Sequence, residues 1–366
     1  MKQAYNFLLC LAGLIFGILL ENIAPLGITP LCICFFISCI GVLLSLTSRR
    51  KSLHLTAALA LSFTTGHLVF ALHAAALKQE QVKLSGHYGY LVGLVTNKQF
   101  LQHPLYQEHL TVDLEGGKHA KLFTGQRLHA SVGVYAKTAT TANIGDKILF
   151  KNVAIKPPSK QFTSNDLGLA KQGIIATIFT ASKYQYRILE RESNSLRATI
   201  WQWRQALYNR VITNLSPLSA AYSSLLFFGN KQHALTSKLQ DKFALWGLSH
   251  YLARSGLHIV LLIAMWFIIL RLIPLNIRFK NLFLCVFIGI YALCSWESTS
   301  FLRALFVFLL AQGGLWLGRE IKTLHLLTLV CMGMILYNPF LIFYLDFQLT
   351  FGLTFGLLTF SKYLVR

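Results

Sequence analysis

Apolar runs long enough to cross a bilayer constrain this chain more than any other feature. Residues 5–24, 27–47 and 53–77 follow one another with short polar breaks. After a polar middle stretch, further runs occupy 243–273, 281–296, 299–318, 324–345 and 347–365. About 20 apolar residues in a helix match the roughly 30 Å hydrocarbon layer, and only 13% of the 366 residues are charged. A polytopic α-helical membrane protein is expected. Lys2 ahead of the first run also suits a signal peptide, but no clear small-x-small cleavage site follows, so a retained helix is expected. Arg49-Arg50-Lys51 after the second run put that end in the cytoplasm by the positive-inside rule. The N-terminus then lies in the cytoplasm and the chain beyond residue 77 outside it.

Residues 78–160 change character. Segments of alternating polarity run over Tyr88–Thr96, Leu105–Leu114, Leu128–Tyr135 and Lys147–Ile155. Turn-like Glu115-Gly116-Gly117-Lys118 and Ile144-Gly145-Asp146 separate some of them, and Pro157-Pro158 closes the stretch. Short strands at this spacing predict a small barrel or sandwich. Residues 161–217 are expected to form a basic helical linker, with an amphipathic helix over 181–215 in which Leu196, Ile200, Trp203, Leu207 and Val211 recur at helical steps. A helix lying on the bilayer surface accounts for that pattern, and a DNA-guiding helix is the second reading. Residues 218–229 are apolar but too short to span alone.

The chain carries 34 Lys and Arg against 13 Asp and Glu, a net charge of +21. Over 78–240 the balance is 20 against 8. Long translocated segments escape the positive-inside rule, so this excess points to an anionic partner, nucleic acid or lipid headgroups. Tyr88, Tyr90, Phe100, Tyr106, Phe123 and Tyr135 are candidates to stack on bases, although a barrel needs most of its aromatics inside. The seven cysteines all lie in apolar runs and predict no disulfide framework.

The stretch from 243 to 262 is mostly apolar yet carries His250, Arg254, Ser255 and His258. On one continuous helix the four-residue steps stack His250, Arg254 and His258 along one face. Burying an arginine against lipid is costly, so that stripe is expected to border a lumen. Gly247 and Gly256 flank it and are expected to permit a bend or a close helix contact.

Gly247-Leu248-Ser249-His250 followed by Ser255-Gly256-Leu257-His258 resembles the signature of the ComEC competence proteins. Ser298-Thr299-Ser300-Phe301-Leu302-Arg303 resembles the family's small-residue segment with an arginine. Asn338-Pro339 followed by Phe347-Gln348-Leu349-Thr350-Phe351 resembles a further hallmark, usually ending Ser-Phe. Arg254 departs from the family, which is apolar there. The resemblance implies three N-terminal transmembrane helices over 1–77, an extracytoplasmic OB-like barrel over 78–160 and a competence-type channel core over 218–366. It further implies a channel for single-stranded DNA in the cytoplasmic membrane. Family members often carry a metallo-β-lactamase-like domain with a His-x-His-x-Asp-His cluster. None of the twelve histidines forms His-x-His, so that part is expected to be absent here.

On this reading the lumen is bordered by His250, Arg254, Ser255, His258 and Arg303, while Gly247, Ser249, Gly256, Asn338, Pro339 and Gln348 shape it. Arg303 holds a passing phosphate, or instead snorkels or pairs with Asp346 or Glu297. Pro339 shapes a turn, and Gln348 bonds another helix. No catalysis, metal or cofactor is expected. No Gly-rich nucleotide-binding loop is present, so force is expected from a cytoplasmic DNA motor. The other partners expected are single-stranded DNA, membrane lipids, an extracytoplasmic DNA receptor, and a second channel subunit or further copies of the chain. The competing readings are a transporter for another anion and an intramembrane hydrolase holding a metal on His250 and His258. The hydrolase is disfavoured because no His-Glu-x-x-His occurs.

Overall fold

In a computed structural model the described residues are 2–23, 25–26, 28–47, 51–84, 86–100, 108–119, 125–126, 130–137, 142–155, 169, 173–180, 186–191, 196–229, 235–248, 256–274, 276–295, 298–319 and 321–364. Three helices come first: α1 (Lys2–Ile23), α2 (Ile28–Thr47) and α3 (Lys51–Leu84). Seven strands follow: β1 (Gly86–Phe100), β2 (Glu108–His119), β3 (Gly125–Gln126), β4 (Ala130–Ala136), β5 (Asp146–Ile155), β6 (Ala176–Thr180) and β7 (Tyr186–Arg191). The chain then returns to helices: α4 (Leu196–Thr213), α5 (Pro217–Ser223), α6 (Thr236–Leu245), α7 (Gly256–Arg271), α8 (Ile277–Cys294), α9 (Thr299–Trp316), α10 (Thr323–Tyr337) and α11 (Leu345–Leu364). The whole is mostly helical with one mixed sheet. Among the described residues, four helical segments, Asn6–Ile23, Leu53–Val82, Ile277–Cys294 and Thr299–Trp316, are long and apolar enough to cross a membrane. Shorter apolar helices lie between and after them.

The chain divides into two compact units, 1–77 with 302–366, and 78–301. In the first unit α1 and α3 run parallel with their backbones touching. A Cβ on Gly17 would stand 2.2 Å from the Phe63 carbonyl, and one on Gly66 2.1 Å from that of Leu14. Gly13-x-x-x-Gly17 is thus a small-residue seam. It ends on a buried pair, His67 Nδ1 to Glu21 Oε2 at 3.1 Å, whose carboxylate also accepts the Leu26 N–H. Phe7 meets His325 at the start of α10, and Phe70 meets Phe340 and Phe343 beyond its end, so α10 runs the same way as α1 and α3.

In the second unit the sheet order is β6-β4-β2-β1-β5-β7, with β3 beside β2. All pairs are antiparallel except β4 with β6. Leu91, Val95, Leu110, Val112, Val132, Val134, Ile148, Phe150 and Ile178 form its core. The expected closed barrel is corrected to an open sheet. It curls until β6 comes near β5, but β7 takes the outer edge of β5 from Asp146 to Phe150, so no ladder joins the two among the described residues.

Three further expectations change. The third helix does not stop at residue 77. It runs to Leu84, where Leu84 enters the β core and the Gln81 amide donates to the Ile175 carbonyl at 2.8 Å. Glu115–Lys118 is not a turn but the end of β2, where Gly116 and Gly117 pair with Val92 and Leu91. The helix expected over 181–215 starts only at Leu196. Residues 186–191 are strand because the free edge of β5 offers a ladder and the core takes Tyr186.

Two buried polar arrangements sit in the sheet. Lys98 pairs with Glu108 at 3.2 Å and donates to the Ala142 carbonyl at 3.0 Å. His109 is buried with its ring on Tyr135, centroids 4.6 Å apart, and burial pushes its pKa down from 6.5 to about 4. A folded-state pKa below the unfolded one means the unfolded chain binds the proton first as pH falls. This contribution is therefore full above pH 6.5 and is lost as pH falls toward 4, reaching about 3 kcal/mol. The melting temperature of the detergent-held chain is expected to fall over this window, and His109→Gln to flatten the fall. An unchanged slope in the variant would show that other groups set it.

Candidate functional site

The stretch expected as one helix from 243 to 262 is broken at Gly247. α6 ends in a Schellman arrangement: Leu248 N–H donates to the Phe243 carbonyl at 2.8 Å, and Gly247 N–H to that of Ala244 at 3.0 Å. Gly247 has φ +68°, a left-handed stop that favours glycine, and a Cβ there would meet nothing within 4 Å. Its place is a helix stop, not a close helix contact. α7 begins at Gly256. The break at Gly247 precedes the expected stack of His250, Arg254 and His258, whose first two members fall outside the described residues. Ser249, His250, Arg254 and Ser255 lie outside the described residues. His258 stands in the first turn of α7, half-buried.

Gly256 leads to the second motif. Its N–H donates to Ser300 Oγ at 3.2 Å. Ser298 Oγ accepts the Phe301 N–H at 3.3 Å, capping the start of α9, and Phe301 is buried with its ring on Tyr291. The Tyr291 hydroxyl donates to the Phe227 carbonyl at 2.8 Å, in the π-turn Ser224–Phe228 that ends α5. Arg204 of α4 donates from Nε to the Leu293 carbonyl in the last turn of α8 at 2.8 Å. The Tyr208 hydroxyl shares a hydrogen bond with Ser224 Oγ at 3.0 Å. One junction thus holds the starts of α7 and α9, the end of α8, the π-turn and α4. α4 also packs Trp201 against the β core while Trp203 stays exposed.

Arg303 reaches the third motif. Its guanidinium donates to the Thr350 carbonyl and the Thr354 hydroxyl of α11. Gln348 Nε2 donates to the Ile342 carbonyl at 2.8 Å. That bond closes the preceding 3-10 turn, Pro339–Phe343, where a bond to another helix was expected. Asn338 Oδ1 accepts the Phe340 N–H at 3.1 Å, and Pro339 opens the turn. Of the aromatics proposed to stack on bases, Tyr88 is core, Tyr135 backs His109 and Tyr90 is exposed. The side chains of Phe100, Tyr106 and Phe123 lie outside the described residues. Sequence reading missed Glu21–His67 and Lys98–Glu108. Only Gly13-x-x-x-Gly17 signalled the first pair, and nothing local signalled the second.

These features define a polytopic helical membrane protein whose polar groups gather at helix ends, with a β unit between its third helix and its later ones. Residues 226–366 match the model of a family described as Competence protein, and this supports the ComEC-family reading. The match contains all three motifs; the β unit lies outside it. No curated protein and no solved structure matches the chain.

The tie between α9 and α11 is open to test. Thr354→Val removes one acceptor from Arg303 and is expected to lower stability by roughly 1.5–3 kcal/mol, the range for hydrogen bonds to charged groups. Thr359→Val, whose hydroxyl serves only its own helix, should stay within about 0.5 kcal/mol. Thermal melts of both variants in detergent check this.

Proposed function

We propose that this chain is a channel component that passes single-stranded DNA through the cytoplasmic membrane during natural transformation. The competence match over 226–366 carries the reading. The junction at Gly256 and Ser300 supports it by joining two of the motifs. In this reading His250, Arg254, His258 and Arg303 lower the barrier for phosphates at membrane depth. The β unit is an OB-type domain that captures the strand. Its one parallel pair, β4 with β6, and the approach of β6 to β5 favour that class over a sandwich. A cytoplasmic motor supplies the force.

Import of labelled DNA into cells lacking this gene tests the proposal. Restoring the chain should restore uptake, and replacing His250, Arg254 and His258 together should abolish it with the protein still in the membrane. Uptake unchanged by the triple replacement would sink the lumen assignment.

Charge along the chain supports an N-terminus in the cytoplasm. Let α1–α3 and α7–α11 each cross once, with the β unit and α4–α6 outside. Then Lys2, Arg49, Arg50, Lys51, Arg271, Arg278, Lys280, Arg319, Lys322, Lys362 and Arg366 all fall at cytoplasmic ends. The short outer connections 24–27, 295–298 and 338–344 hold no Lys or Arg. In the first unit, the shared direction of α1, α3 and α10 agrees with this parity. A cysteine at 151 should react with an impermeant maleimide in intact cells. Cysteines at 50, 278 and 319 should react only after permeabilisation. The opposite pattern would invert the topology.

A further inference from the structure

We propose that Tyr90, with Lys118 and Lys151 directly across from it on the neighbouring strands, is a base-stacking platform for single-stranded nucleic acid. The proposal rests on the single-strand reading above and names where on the β unit the strand docks.

In a regular strand residues two apart share a face. Tyr88 and Tyr90 do not: Tyr88 is 3% exposed in the core and Tyr90 is 40% exposed. β1 and β5 change face together. Tyr88 is paired with buried Val153, and Tyr90 with exposed Lys151. Gly89 and Asn152 fall between these two pairs, and Asn152 has φ 52°, a left-handed position that asparagine tolerates better than most residues. On the other side, the β1–β2 register shifts at the same place and brings Lys118 opposite Tyr90. The kink turns one aromatic outward and sets a lysine position on each flank.

Strands lie about 4.8 Å apart, so the two lysine positions stand roughly 10 Å from one another with the ring between them. That suits a flexible strand with one base on the ring and its flanking phosphates on the cations. Arg187, exposed on β7 opposite Leu149, continues the basic surface beyond Lys151. Glu115 stands between the partners of Val92 and Gly93, on the Leu94 side of Tyr90. Glu115 pairs with Lys147 at 2.7 Å, and Glu190 stands opposite Lys147 in register. Lys147 is opposite Leu94, four residues along β1 from Tyr90, or about 13 Å. At the Leu94 row Lys147 is neutralised by Glu115 and faces Glu190, whereas no acidic residue is paired in register with Tyr90.

The test is fluorescence anisotropy of the full chain in detergent with a labelled oligothymidine of about 20 nucleotides, titrated at several salt concentrations. Tyr90→Ala should weaken binding about tenfold, within the range for loss of one base–aromatic stack, with the salt slope unchanged. Tyr90→Phe should bind as the native chain does. Lys118→Ala with Lys151→Ala should lower the slope of log K against log salt by about 1.4, roughly 0.7 for each phosphate no longer neutralised. Lys147→Ala, already neutralised by Glu115, should change neither. Polyphosphate in place of the oligonucleotide should be indifferent to Tyr90→Ala.

Native binding that none of these variants alters would overturn the platform and leave the single-strand reading standing. A polyphosphate affinity that falls equally with Tyr90→Ala would show an anion site without stacking, and would also overturn it. No binding by the native chain would remove both the platform and the capture step it serves.

Discussion

A carbonyl left unpaired where a helix or strand ends must find a donor, and this requirement organises the molecule. Gln81, Lys98, Arg204, Tyr291 and Gln348 meet it in the same way. Each donates a side-chain hydrogen to a carbonyl outside the regular ladders or near their ends: those of Ile175, Ala142, Leu293, Phe227 and Ile342. Within a bilayer no water would stand in for the donors at helix ends, Tyr291 and Gln348 among them, and each unpaired group there costs several kcal/mol. Several polar side chains are therefore placed where helices stop. Arg303 instead ties two helices along their length, binding the Thr350 carbonyl and the Thr354 hydroxyl within α11.

The three motifs read differently once the helices are drawn. Gly247 stops one helix, Gly256 begins the next, and Ser300 holds that beginning against α9. Asn338, Pro339 and Gln348 build one compact turn before α11. Such glycines, short hydroxyls and amides are what a membrane protein needs where backbone leaves the helix near a polar path. Correct helix ends are thus one demand on these residues. The β unit lies outside the competence match.

The apolar runs are legible because a 20-residue span is a local property: α1, α2 and α9 begin and end within a few residues of the expected places. The four alternating segments fall on β1, β2, β4 and β5 for the same reason, since period-two alternation needs no knowledge of neighbours. The misreadings share one cause. β7 reads as helix because its local pattern admits both, and only the vacant edge of β5 decides it. Glu115–Lys118 looks like a turn until β1 supplies partners for its two glycines. The helix expected over 243–262 is broken where the Schellman bond to Phe243 ends α6 at Gly247.

By itself, the sequence determined that the chain is helical and apolar in blocks, with a basic β-rich insertion and three motifs of the competence type. Span length, alternation and motif spacing are all written along the chain. Tertiary structure alone decided that Glu21 meets His67 across 46 residues, that Arg303 reaches α11, that the sheet stays open, and that Tyr90 faces out while Tyr88 faces in. Each of these depends on which distant backbone comes close enough to offer or refuse a hydrogen bond, and no local pattern encodes that.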